Sequence, residues 1–220
     1  EHWLALPSYD VPARKRFSAE TLSRAARSFA WGPHEAAALA QHYPDVAPGR
    51  VVATGSPRVD LWRPELDAYH RSRPLEALAD RRDYLLVSSN FSAALDVNPF
   101  WIRMRDKRQH FDGPEDPFEL DRYPHTARKL FVLGEFVRAV RRLAAAHPDV
   151  LVVVRPHPIE ARGAWRDLLG DVPNVLVTRE RTLAAWVRGA RAVIQNECTS
   201  AYEAAVAGVP VISFHPDGVF

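Results

Sequence analysis

The chain has 220 residues, 47% apolar and 25% charged, with a formal net charge of +2. That is enough apolar material for a real core, and too little net charge to argue for nucleic acid as a partner. No apolar run approaches the roughly 18–20 residues of a membrane span, no signal peptide is visible, and the single cysteine, Cys198, excludes an internal disulfide and fits a reducing compartment.

Residues 28–31 (Ser-Phe-Ala-Trp) form a short apolar stretch before Gly32-Pro33, the pattern of a strand that delivers a turn. Residues 34–42 are Ala-rich with Glu35 in the first turn, which predicts a helix. Val51-Val52-Ala53-Thr54 reads as a second short strand, stopped by Gly55-Ser56-Pro57. Residues 58–82 are rich in Arg and Pro without apolar periodicity, as in a linker or bridging helix. Regular alternation begins at the predicted strand Tyr84–Ser88. Residues 98–125 hold four prolines and scattered charges and read as a long insertion. The strongest predicted helix covers 126–146, with Leu130, Leu133, Val137, Val140 and Leu143 near 3.6-residue spacing and His147-Pro148 to end it.

Beyond it the spacing predicts strands at Val150–Val154, Val175–Val177, Ala192–Ile194 and Val209–Phe214. Helices are predicted around Trp165–Leu169, Leu183–Val187 and 200–207, the last stopped by Gly208. This alternation implies βαβ units, an α/β fold and a mainly parallel sheet. Glu1 is not a start residue and nothing follows the last strand to cover it, so the chain is expected to be a fragment.

Open parallel sheets bind ligands at the C-terminal ends of their strands. Val154 runs directly into Arg155-Pro156-His157-Pro158. The flanking prolines stiffen His157, which suits it to donate to a phosphate oxygen with Arg155 beside it. A Pro-rich turn with an exposed His and a solvated Arg explains the same residues. Cys198-Thr199-Ser200-Ala201-Tyr202-Glu203 opens a helix. Ser200 and Glu203 have capping-box spacing, which accounts for them without a ligand. With a ligand, Thr199 or Ser200 touches phosphate at the helix start and Glu203 takes ribose hydroxyls.

Ser88-Ser89-Asn90 follows the first strand of this region, as an ordinary turn or as a phosphate cradle built from main-chain N–H groups. It has no glycine, so it is neither a P-loop nor a dinucleotide fingerprint. Gly55-Ser56-Pro57 is a weaker cleft candidate. The nine histidines and one cysteine show no metal-ligand spacing. Asp112, Glu115, Asp116 and Glu119 read as a solvated acidic loop, and Cys198 as a small packed residue rather than a nucleophile.

Arg155-Pro156-His157-Pro158 after a strand, then Asn196-x-Cys198-Thr199-Ser200-x-x-Glu203-Ala204 and Gly208-x-Pro210-Val211-Ile212-Ser213, resemble the C-terminal donor-binding half of GT-B glycosyltransferases. The pattern is most similar to the bacterial surface carbohydrate (surface polysaccharide) biosynthesis family, which is related to Kdo transferases, bacterial sialyltransferases with a His-Pro motif, and CDP-glycerol glycerophosphotransferases. Thr54-Gly55-Ser56-Pro57-Arg58-Val59-Asp60-Leu61 resembles the Thr-Gly-Asn-Pro-Arg-x-Asp stretch that closes the family's N-terminal domain, with Ser56 in place of Asn. The resemblance covers roughly residues 28–65 and 84–216.

It implies a remnant of the N-terminal GT-B domain at 1–64, a linker at 65–82, and a Rossmann-like donor-binding domain at 83–220, truncated at its end. It implies donor contacts by His157, Thr199, Ser200 and Glu203, with charge compensation by Arg155. The partners would be a nucleotide-sugar donor, CMP-linked, and a glycan acceptor of capsule or lipopolysaccharide type. No metal or cofactor is expected, and no catalytic base can be named. The expected location is cytoplasmic, with peripheral association at the inner face of the membrane as an option that the basic residues, dispersed along the chain rather than clustered, do not support. Two alternatives stand beside it: an isomerase like the non-hydrolysing UDP-N-acetylglucosamine 2-epimerases, and a non-catalytic nucleotide-binding remnant.

Overall fold

A computed structural model describes residues 17–66, 83–95 and 122–216. The chain forms two compact units, Glu1–Asp67 and Ala68–Phe220.

In the first unit, Ser18 caps α1 (Ala19–Arg24) by accepting from the Thr21 N–H at 3.1 Å. β1 (Ser28–Ala30) and β2 (Val51–Ala53) pair in parallel, Ser28 opposite Val51 and Ala30 opposite Ala53. The crossover is α2 (Pro33–His42), begun by Pro33 at a position that lacks a helical N–H partner anyway. It buries Leu39 against Phe17, Ala38, Tyr43 and Val51. Gly55, with φ of +85°, turns the chain out of β2 into α3 (Pro57–Asp60). A 3-10 turn follows at Pro64–Leu66. The stretch read as a linker therefore starts as a helix inside this unit. Residues 67–82 lie outside the described residues.

The second unit holds β3 (Tyr84–Ser88), β4 (Leu151–Arg155), β5 (Val175–Val177), β6 (Ala192–Gln195) and β7 (Val211–Ser213) in one sheet of order β5-β4-β3-β6-β7. Every pairing is parallel, and Val87 lies between Val154 and Ile194. Between the strands run α4 (Ser92–Leu95), α5 (Arg122–Ala146), α6 (Arg162–Leu169), α7 (Leu183–Gly189) and α8 (Ser200–Val206). The fold is α/β with a Rossmann-like parallel sheet. The chain starts at β3, steps outward to β5, then returns to β6 on the other side. The switch point, where such sheets open a crevice, falls between β3 and β6.

Leu151 to Val154 are all buried, as a parallel strand covered on both faces requires. On one face, α5 packs Val132, Leu133, Phe136, Val137, Val140 and Ala144 against Val87, Val152 and Val154, together with Trp165 and Leu169 of α6. Leu130, expected on this face, is 51% exposed. The buried ladder runs through Val132, Phe136 and Val140, which puts Lys129 rather than Leu130 one turn ahead of it. The helix also begins at Arg122, four residues before the predicted start. The rest of the predicted insertion, with its acidic cluster, lies outside the described residues.

Near the end of α5, the Asn174 amide donates to the carbonyls of Ala144, His147 and Val150 at 3.0, 3.0 and 2.9 Å. This satisfies the Ala144 carbonyl, which the helix terminus leaves open, and ties the turn at 147–150 to it. Elsewhere in this unit Tyr84 meets Trp186 of α7 edge to face, ring centroids 5.7 Å apart. Its hydroxyl donates to the Trp186 carbonyl, and burial pushes the phenol pKa well up. Among the described residues no helix is long and apolar enough to cross a membrane.

Candidate functional site

Three loops leave the C-terminal ends of β4, β3 and β6, and side chains tie them together. The most buried tie is Glu160, with no exposed surface. Its carboxylate accepts from Ser89 Oγ at 2.5 Å, Phe91 N–H at 2.5 Å, Trp165 Nε1 at 2.7 Å and His157 N–H at 3.2 Å. Four inward-pointing donors make a closed cradle for one carboxylate, which stands in for a main-chain partner at a place where two loops meet. Arg179 closes the other side by donating to the carbonyls of His157 and Glu160.

The loops after β3 and β6 are joined across the switch point. Asn90 Nδ2 donates to the Glu197 carbonyl at 2.6 Å, and Ser88 Oγ lies 3.6 Å from Cys198 Sγ. The Lys129 ammonium donates to Glu197 Oε2 at 2.5 Å, and Arg128 comes within 3.5 Å of the same carboxylate. Asn196 donates to the Phe214 carbonyl at 3.1 Å, and Gln195 bridges Ser213 and the Cys198 N–H at 2.7 Å each.

His157 sits on this rim, half-buried. Its Nδ1 accepts from the Ile159 N–H at 3.3 Å. With Nδ1 as acceptor the ring proton is assigned to Nε2, which has no partner among the described residues and is a ready donor. Arg155 is placed differently from the expectation. Its guanidinium donates to the carbonyls of Glu180 and Arg181 at 2.9 and 2.8 Å, so it braces the loop after β5. Burial first, and the Arg179 charge second, lower its pKa from the usual guanidinium range.

The capping-box expectation at Ser200 is corrected. The N-cap is Thr199, with φ −63° and ψ −17° and no side-chain cap bond. Ser200 is therefore the first helical residue and Glu203 the fourth, one place too far along for the box. Both are buried, and Ser200 Oγ has no partner among the described residues. The N–H groups of Ala201 and Tyr202 bond back to the Cys198 and Thr199 carbonyls at 3.1 and 3.0 Å. The row of free helix N–H groups expected there is shortened accordingly. In the loop after β3, Ser88 and Ser89 are buried, and the N–H groups of Ser89 and Phe91 already bond to Arg155 O and Glu160. Ser56 is buried at the N-cap of α3, in the first unit.

Sequence reasoning did not find Glu160, Lys129, Arg179 or Glu197. Lys129 alone carried a legible signal, its place one turn ahead of Val132 and Leu133 on the apolar stripe. Among the described residues no group of three or more His, Cys, Asp or Glu could hold a metal ion.

No protein-family model matches this sequence, and no curated protein matches it. Among solved structures, UDP-GlcNAc 2-epimerase of Methanocaldococcus jannaschii, in complex with UDP-GlcNAc and UDP, is similar with a TM-score of 0.47 and 12% identity. The match covers 86% of this chain and 45% of that one, so the chain spans less than half the length of that enzyme.

Proposed function

We propose that the protein is a GT-B-type glycosyltransferase of surface polysaccharide synthesis, transferring a sugar from a CMP-linked donor to a glycan acceptor at the inner face of the cytoplasmic membrane. The observation that carries this reading is His157. Its ring is fixed at the rim of a parallel sheet, beside the switch point, with Nε2–H directed to no protein partner among the described residues. β4 and β6 are separated by β3, so the His157 and Thr199 loops stand about two strand spacings, roughly 10 Å, apart. One phosphate does not span that gap, whereas a nucleotide does.

In this reading His157 donates to the donor's phosphate. Thr199, half-buried at the N-cap of α8, contacts the nucleotide's other end, and buried Ser200 and Glu203 form the wall beneath it. Ser88, Ser89 and Asn90 shape the floor between the two. Arg155 and Arg179 act through their field. When the sugar–phosphate bond breaks, negative charge grows on the departing CMP, and fixed donors and cations at that point lower the barrier without reorganising.

The test is to incubate the purified protein with CMP-linked sugars, with and without a glycan acceptor. Acceptor-dependent release of CMP supports transfer. Conversion of the donor without acceptor would make it an isomerase, and binding without either reaction would leave it a nucleotide-binding module.

A further inference from the structure

Lys129 is 7% exposed, on the buried face of α5. Its ammonium donates to Glu197 at 2.5 Å and to the Asn90 carbonyl at 3.4 Å, and stands 5.9 Å from the Phe91 ring centroid. Arg128, the next residue back, faces the same Glu197 carboxylate at 3.5 Å. Two cations thus meet one carboxylate at the switch point. Glu197 holds its position with φ of +46°, a left-handed conformation that a residue with a side chain adopts only when its surroundings hold it there. Its side chain keeps 28% of its surface exposed, so solvent reaches the pair from the Glu197 side.

A buried ammonium needs a counter-ion. We infer that Arg128 and Lys129 form an anion site at the switch point, and that Glu197 is a displaceable counter-ion which a phosphate or diphosphate group replaces. This deepens the nucleotide reading above and rests on it for the identity of the ligand. A carboxylate and a phosphate compete for the same charge, so removing the carboxylate's charge strengthens anion binding, while removing the ammonium weakens it.

The test is calorimetric titration of inorganic pyrophosphate, CMP and uncharged cytidine into the wild type, Glu197→Gln and Lys129→Met, with thermal melting to verify folding. Glu197→Gln is expected to bind pyrophosphate and CMP about tenfold tighter, and Lys129→Met about tenfold weaker, the scale of one charge-assisted hydrogen bond. Cytidine affinity should not respond in either variant. A gain in affinity cannot arise from misfolding, so the Glu197→Gln arm decides the matter even if Lys129→Met is unstable. Opposite responses to pyrophosphate, with no CMP binding, uphold the anion site and remove the nucleotide reading. Glu197→Gln binding pyrophosphate no tighter than the wild type, or no pyrophosphate binding at all, overturns the inference, whatever CMP does.

Discussion

The main-chain N–H of His157 donates to the carboxylate of Glu160, three residues further on, at 3.2 Å. The same carboxylate holds Ser89 and Phe91, about seventy residues earlier, so the loops after β3 and β4 share one fixed point. His157 owes its placement to a buried acid rather than to its flanking prolines alone.

Replacing Glu160 tests that fixed point. Glu160→Gln offers one acceptor oxygen where the carboxylate offers two, so its amide N–H₂ must face either Phe91 N–H or the other donors. A loss of about 2–3 kcal/mol in urea unfolding is expected, and more for Glu160→Ala, because buried donors lose their partners. The Trp165 indole N–H resonance should shift in both. Wild-type stability in Glu160→Gln would show that the cradle contributes little.

Tyr84 and Gly189 form a second testable pair. A Cβ at position 189 would lie 2.6 Å from the Tyr84 hydroxyl oxygen. Gly189→Ala is expected to cost about 1–3 kcal/mol through overpacking, and distinctly less in a Tyr84→Phe background, where the crowded oxygen is gone. A double-mutant cycle on unfolding free energies reads that coupling.

The same tyrosine gives a pH dependence. Burial raises its pKa above the ordinary 10.0. Below that pH both folded and unfolded chains hold the phenolic proton, and its contribution to stability is complete. Above it the unfolded chain ionises first and binds fewer protons, so stability falls as pH rises. Urea midpoints from about pH 9 to about pH 11 should decline more steeply in the wild type than in Tyr84→Phe. Parallel curves would contradict the assignment.

Asn174 anchors three carbonyls, one in the last turn of α5 and two in the turn between it and β4. Asn174→Ala is expected to destabilise by about 1–3 kcal/mol, with the loss seen as faster amide exchange in the last turn of α5. An unchanged exchange pattern would count against that anchor.

Most strands were legible because they centre on short runs of Val, Leu and Ile set between turn residues; β1 (Ser28-Phe29-Ala30) was legible from its aromatic-apolar stretch before Gly32-Pro33. Tyr84–Ser88 and Val175–Val177 fall where the pattern puts them, and the others differ by one or two residues. The stop of α8 was legible too, since Gly208 sits past its end with φ of +73°. Leu130 was misplaced because spacing alone does not choose between adjacent positions of a helical stripe; the packing of Val132 and Phe136 does. The predicted start of α8 at 200 matches, but its cap was assigned to Ser200 rather than Thr199, because both residues are able to cap. Glu160 gave no local sign. Its partners Ser89 and Phe91 come from another strand's loop, and only the sheet order brings them to it.

As proposed above, His157 donates to the phosphate of a cytidine nucleotide at this rim. Calorimetric titration of CMP, CDP and UMP against the wild type and His157→Ala tests it most directly. CMP should bind most tightly, and the substitution should weaken it by about 1–3 kcal/mol, the scale of one lost charge-assisted hydrogen bond. Equal affinity for the three nucleotides, or an unchanged CMP affinity in the variant, would contradict it.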